Sequence, residues 1–143
     1  MMLRVEVVLV LCGLCAIGTA LIGRTQSAGA RGVLTCNGRP LRNVLVKLYD
    51  EDDGGIDDLM AKTKTDANGH FELSGSEDEF TPIDPKINIY HDCNDGVKPC
   101  QRKVTIKIPD RYITPGKYAK NFYEAGTLEL AGKFPGESRD CLH

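Results

Sequence analysis

Residues 103–108 read Lys-Val-Thr-Ile-Lys-Ile, and their alternation decides the class of fold. Val104, Ile106 and Ile108 fall on one side of an extended chain, with Lys103, Thr105 and Lys107 on the other. That period of two marks a strand with one dry face and one wet face. The same period recurs along the chain. In 43–49, Val44, Val46 and Leu48 share a face opposite Leu45, Lys47 and Tyr49. Ile87 and Ile89 align within 86–90, and Leu128 and Leu130 within 127–130. After the turn Asp66-Ala67-Asn68-Gly69, Phe71 and Leu73 point inward and His70 outward. Shorter runs at 32–36, 62–65 and 110–114 complete the set, with Gly, Pro, Asn or Asp between them. Seven or eight short strands at this spacing predict an all-β antiparallel sandwich. No amphipathic helix is expected, and 74–79 allows one helical turn at most.

The 143 residues are 41% hydrophobic and 27% charged with net charge −2, which fits one globular domain and argues against a general polyanion binder. Tryptophan is absent and aromatics are 6%, so the core must be aliphatic. Residues 1–20 differ in kind: Arg4, an apolar run over 7–17, then Gly18-Thr19-Ala20. The run is far short of the ~20 residues that a membrane-spanning helix needs. It predicts a cleaved secretory signal peptide over 1–20, a mature domain over 21–143, and a secreted, extracellular protein. No later run could span a bilayer. Cys12 and Cys15 leave with the signal, and Cys36, Cys93, Cys100 and Cys141 remain. An even number in a secreted chain predicts two disulfides. Cys93 and Cys100 flank a short loop, and hairpin strands would bring their Cα atoms within the ~4.4–6.8 Å a disulfide needs. The expected pairing is therefore 93–100, leaving 36–141.

Two further runs carry a resemblance. Gly38-Arg39-Pro40-Leu41-Arg42-Asn43-Val44-Leu45-Val46-Lys47-Leu48 precedes Thr63-Lys64-Thr65-Asp66-Ala67-Asn68-Gly69-His70-Phe71, and together they resemble the transthyretin superfamily. Asp57-Asp58-Leu59-Met60, Pro82-Ile83-Asp84-Pro85, Tyr90-His91-Asp92-Cys93 and Gly126-Thr127-Leu128-Glu129-Leu130 narrow it to the nematode transthyretin-like family of secreted proteins, over about residues 28–136. The resemblance implies a transthyretin-like β-sandwich in the extracellular space. It also implies a kinship with ligands that bridge cell surfaces, including exposed anionic lipid.

An enzyme is not expected. The 5-hydroxyisourate hydrolases of the superfamily carry histidines, an arginine and a C-terminal Y-R-G-S, and residues 134–143 here lack that tetrapeptide. Of the three histidines, His91 lies beside Asp92, where local hydrogen bonding is commoner than general-base work. No P-loop, nucleophile elbow or H-E-x-x-H is present, so no cofactor is expected. Thyroid hormone carriage needs a tetrameric channel whose lining positions have no clear counterparts here. Asp50, Asp52, Asp57 and Asp58 lie in an acidic loop that is a weak calcium candidate, because the bidentate carboxylate of an EF-hand loop is missing.

Charge is segregated. Residues 50–79 hold eleven acids and two bases, whereas 98–120 hold seven bases and one acid. Lys98, Arg102, Lys103 and Lys107 form a candidate contact for an anionic headgroup. Aromatic interleaving for base stacking is absent, so nucleic acid is not a partner. The function expected is a secreted, non-enzymatic ligand or adaptor that contacts a cell-surface receptor or anionic lipid. The other reading is a carrier of a small apolar molecule.

Overall fold

The computed structural model describes residues 23–143. The signal segment expected over 1–20 lies outside them. The described residues form ten strands: β1 (Arg24–Cys36), β2 (Arg39–Pro40), β3 (Leu45–Asp50), β4 (Asp58–Lys64), β5 (His70–Glu79), β6 (Pro85–His91), β7 (Gln101–Lys107), β8 (Thr114–Pro115), β9 (Tyr123–Glu129) and β10 (Ser138–Asp140). Seven are long and three are two- or three-residue pieces. They make two five-stranded sheets. In the first, β5 pairs antiparallel with β1 along Arg24–Val33, and β9 runs parallel to β1 along Ala30–Thr35. The second is antiparallel, in the order β10-β7-β6-β3-β4.

The apolar faces read from the sequence close on one another. Val46, Leu48, Ile87, Ile89 and Val104 of the second sheet meet Leu34, Phe71 and Leu73 of the first. Each such side chain is worth about 1.5–3 kcal/mol when fully buried. β6 is buried along its whole length because it lies between β3 and β7 within its sheet. β1 extends well beyond the expected 32–36 because its small residues permit close packing. A Cβ on Gly29 would lie 2.9 Å from the Phe122 ring.

Three expectations need correction. Residues 74–79 are strand rather than a helical turn, because β1 offers a continuous ladder from Gly29 back to Arg24. Residues 110–114 are a 3-10 turn, Asp110–Tyr112, running into β8. The disulfides are Cys36–Cys93 and Cys100–Cys141, with Cα separations of 5.7 and 4.5 Å, and not 93–100 and 36–141. The β6–β7 ladder stops at His91–Arg102. The chain then leaves through two turns, closed by Asp95 N–H on Asp92 O and Lys98 N–H on Asp95 O. Cys93 points into the core and meets the end of β1 in the other sheet. β10 pairs with β7 and brings Cys141 to Cys100.

Candidate functional site

Beyond the end of the β6–β7 ladder lies a 340 Å³ concavity lined by Lys98, Arg102, Lys133, Ser138 and Arg139, with Asp95 and Glu137 among them. Register explains the two arginines. Arg139 of β10 sits directly opposite Arg102 of β7, and cross-strand partners share a face. Like charges placed this way repel, and each guanidinium has its own carboxylate. Arg102 donates from Nε and Nη2 to Glu137 at 3.1 and 2.8 Å. It also donates to the carbonyls of Cys93 and Gly132 at 2.7 and 2.8 Å. Arg139 donates to both Asp95 oxygens at 2.8 and 2.6 Å, and to Cys100 O at 2.8 Å. Such forked pairs are strong and directional.

The protonation states follow. Burial pushes the Glu137 carboxyl up, but the hydrogen bond and charge of Arg102 outweigh it and hold the group below the usual range. Arg139 holds Asp95 below its usual range through its hydrogen bond, against burial. Both carboxylates are therefore ionised and both arginine charges are compensated. Lys98 and Lys133 are exposed and make no ion pair among the described residues. They leave the concavity with a net positive charge. That charge suits a phosphate, sulfate or carboxylate group.

The four cations singled out from sequence separate here. Lys98 and Arg102 enter the concavity, Arg102 as a buried scaffold rather than an exposed contact. Lys103 lies on the opposite face of β7, 3.7 Å from Asp140. Lys107 lies about 13 Å further along the strand, and is 3.3 Å from Glu51. Lys133 and Arg139 were not among the sequence candidates. The one available signal was Cys141, once paired with Cys100 rather than Cys36.

The acidic candidates also divide. Asp50 and Asp58 converge with Glu79 of the other sheet, their oxygens within 4.8 Å of one another. Burial, then neighbouring carboxylates, raise the Asp50 and Glu79 pKa values. Asp57 instead accepts from Lys86 Nζ at 2.6 Å and from Asp52 N–H at 3.0 Å, and Asp52 is exposed. His91 is buried, and its Nδ1 accepts the Cys93 N–H at 3.1 Å. Its proton must then sit on Nε2, which has no partner among the described residues. Burial and then the Arg102 charge lower its pKa, which keeps the imidazole neutral. His70 is exposed and His143 stacks on Tyr90 with ring centroids 4.2 Å apart.

The Transthyretin-like family model matches residues 31–109. The chain belongs to the transthyretin-like family. It is similar to transthyretin-like protein 5 of Caenorhabditis elegans, 66% identical over 139 residues that span 96% of this chain and 99% of that protein. Transthyretin-like protein 33 of the same organism is 53% identical, spanning 91% of each chain. Transthyretin-like protein 16 is 35% identical, spanning 97% of this chain and 99% of that one. In this transthyretin-like chain the family match takes in Asp95, Lys98 and Arg102 and stops before Lys133, Glu137 and Arg139. The concavity is thus built half from the matched span and half from the C-terminal segment.

Proposed function

We propose that the protein is a secreted binding protein that engages an anionic group displayed on an extracellular surface, with Lys98 and Lys133 as the contacts. Arg102 and Arg139 act as positioning residues that shape the concavity. One observation carries this reading: two exposed lysines without ion pairs flank two arginines that are each locked by their own carboxylate. The disulfides support an extracellular location. Lys103 and Lys107 are secondary, because Asp140 and Glu51 lie against them. The carrier reading has less support. The broad 790 Å³ hollow over β1 is open, and its lining sets Arg31, Lys64, Asp66, Glu72 and Glu124 beside Val33 and Phe71.

Co-sedimentation with phosphatidylserine and phosphatidylcholine vesicles, at low and physiological salt, tests the reading. Selective binding to the anionic vesicles that weakens with salt is expected. At about 1 kcal/mol per cation near the surface, Lys98→Ala with Lys133→Ala should cost roughly 30-fold. Lys103→Ala with Lys107→Ala should cost far less. Binding that ignores the first pair refutes the site. Binding to intact cells that depends on Lys98 and Lys133, without vesicle binding, would place the anionic group on a protein.

A further inference from the structure

We infer that the Cys100–Cys141 disulfide is a reducible latch on the cationic concavity: a small thiol opens it and releases 138–143, while Cys36–Cys93 stays closed and the sandwich stays folded. The inference rests on the binding reading for its consequence, not for its mechanism. The two disulfides sit in opposite settings. Cys93 belongs to the buried core and Cys36 packs against it, joining one sheet to the other. Cys141 is exposed and Cys100 only partly covered, at the outer edge of the second sheet. A thiolate reaches the outer pair first. It attacks Cys141 Sγ, the S–S bond breaks, and Cys100 leaves as a thiolate that takes up a proton. A second thiol resolves the mixed disulfide, so two small thiols are oxidised to one disulfide as one protein disulfide becomes two thiols.

Little apolar burial holds the segment once the bond is open. β10 is three residues long, nothing pairs with its outer side among the described residues, and Leu142 is 91% exposed. What remains is the three-residue ladder to β7, the Arg139 bonds to Asp95 and the Cys100 carbonyl, the 3.7 Å Lys103–Asp140 contact and the His143–Tyr90 stack. Short terminal edge strands of this kind open at low cost. Glu137 stays, because its N–H is bonded to Phe134 O and its carboxylate to Arg102. Release therefore removes Arg139 and Ser138 and uncovers Asp95 beside Lys98. The concavity loses one positive charge and gains an internal competitor for its lysine.

The test is graded reduction of the mature protein by a monothiol. Alkylation mapping, hydrogen exchange and phosphatidylserine co-sedimentation are followed together. Cys100 and Cys141 should be alkylated while Cys36 and Cys93 remain protected. Exchange over 138–143 should rise at least tenfold with the core unchanged. Vesicle binding should fall about fivefold, the worth of one cation near an anionic surface. Cys100→Ser with Cys141→Ser should reproduce this without reductant. Simultaneous opening of both disulfides, or a segment that stays protected, overturns the latch. Release without weaker vesicle binding overturns its control of the site. If the oxidised protein binds no vesicles, the binding reading fails, while alkylation and exchange still decide the latch.

Discussion

Glu137→Ala tests the construction of the cationic concavity most directly. The Arg102 and Glu137 side chains are only 9% and 7% exposed, so truncation leaves a guanidinium buried without its counter-charge. Removing one partner of a buried pair typically costs 3–5 kcal/mol. Arg102 keeps its bonds to the Cys93 and Gly132 carbonyls, which places the loss near the lower bound, about 3 kcal/mol. With a urea slope of ~1–3 kcal/mol per molar, the midpoint should fall by about 1 M or more. Glu137→Gln keeps an acceptor and should lose about half as much. Arg102→Met combined with Glu137→Leu removes both charges but takes the donor from the Cys93 and Gly132 carbonyls, so it should recover only part of the loss. Glu137 has a lowered folded-state pKa, so its contribution is present above the ordinary carboxyl range and is lost as pH falls through the folded value. The gap between parent and Glu137→Ala should therefore narrow as pH falls below the ordinary carboxyl range. Equilibrium urea unfolding at pH 7 and pH 3.5 reads all of this. A loss under about 1 kcal/mol at pH 7 would refute the reasoning, because it would mean the pair is hydrated.

Two further predictions concern the opposite end of the sandwich. Gly75→Ala drives a Cβ against the Met60 carbonyl oxygen and to 2.8 Å from its carbon, both backbone atoms. It should destabilise by about 1–3 kcal/mol in thermal unfolding, and a parent-like midpoint would show that β4 and β5 are not in close contact there. Asp50→Asn keeps an acceptor for the Asp84 N–H, 2.8 Å away, and removes a charge from the carboxylate cluster. An acid with a raised folded-state pKa costs stability above that value and nothing below its unfolded value. The variant should melt higher than the parent at pH 7 and converge with it toward pH 4, and a lower melting point at pH 7 would contradict the assignment.

Legibility from sequence followed side-chain contrast. β3, β6 and β7 show because bulky aliphatics alternate with polar residues or cluster without interruption. The first half of β1 does not, because Ser27, Ala28, Gly29 and Ala30 carry no alternation although all are buried. Residues 74–79 are small and acidic, and only the partner strand makes them extended. The disulfide pairing was illegible for a related reason. Cys93 and Cys100 would face each other if the ladder continued, and the turns at 92–98 that end it depend on tertiary context. With that pairing misread, the C-terminal segment could not be placed near β7, and Lys133 and Arg139 stayed out of the candidate site. Lys98 and Arg102 entered the candidate set from charge alone. That Arg102 points inward needed only its place in the alternation with Val104.

The two sheets are joined very differently at their two ends. Beyond His91 they share a covalent bond through Cys36 and Cys93. Roughly 25 Å away along β6, they meet at three carboxylates crowded within 4.8 Å, Asp50 and Asp58 on one side and Glu79 on the other. The sandwich is built like a book with a sewn spine and leaves that push apart at the fore-edge. Protons or dissolved cations relieve the repulsion there, whereas low ionic strength at neutral pH leaves it unscreened.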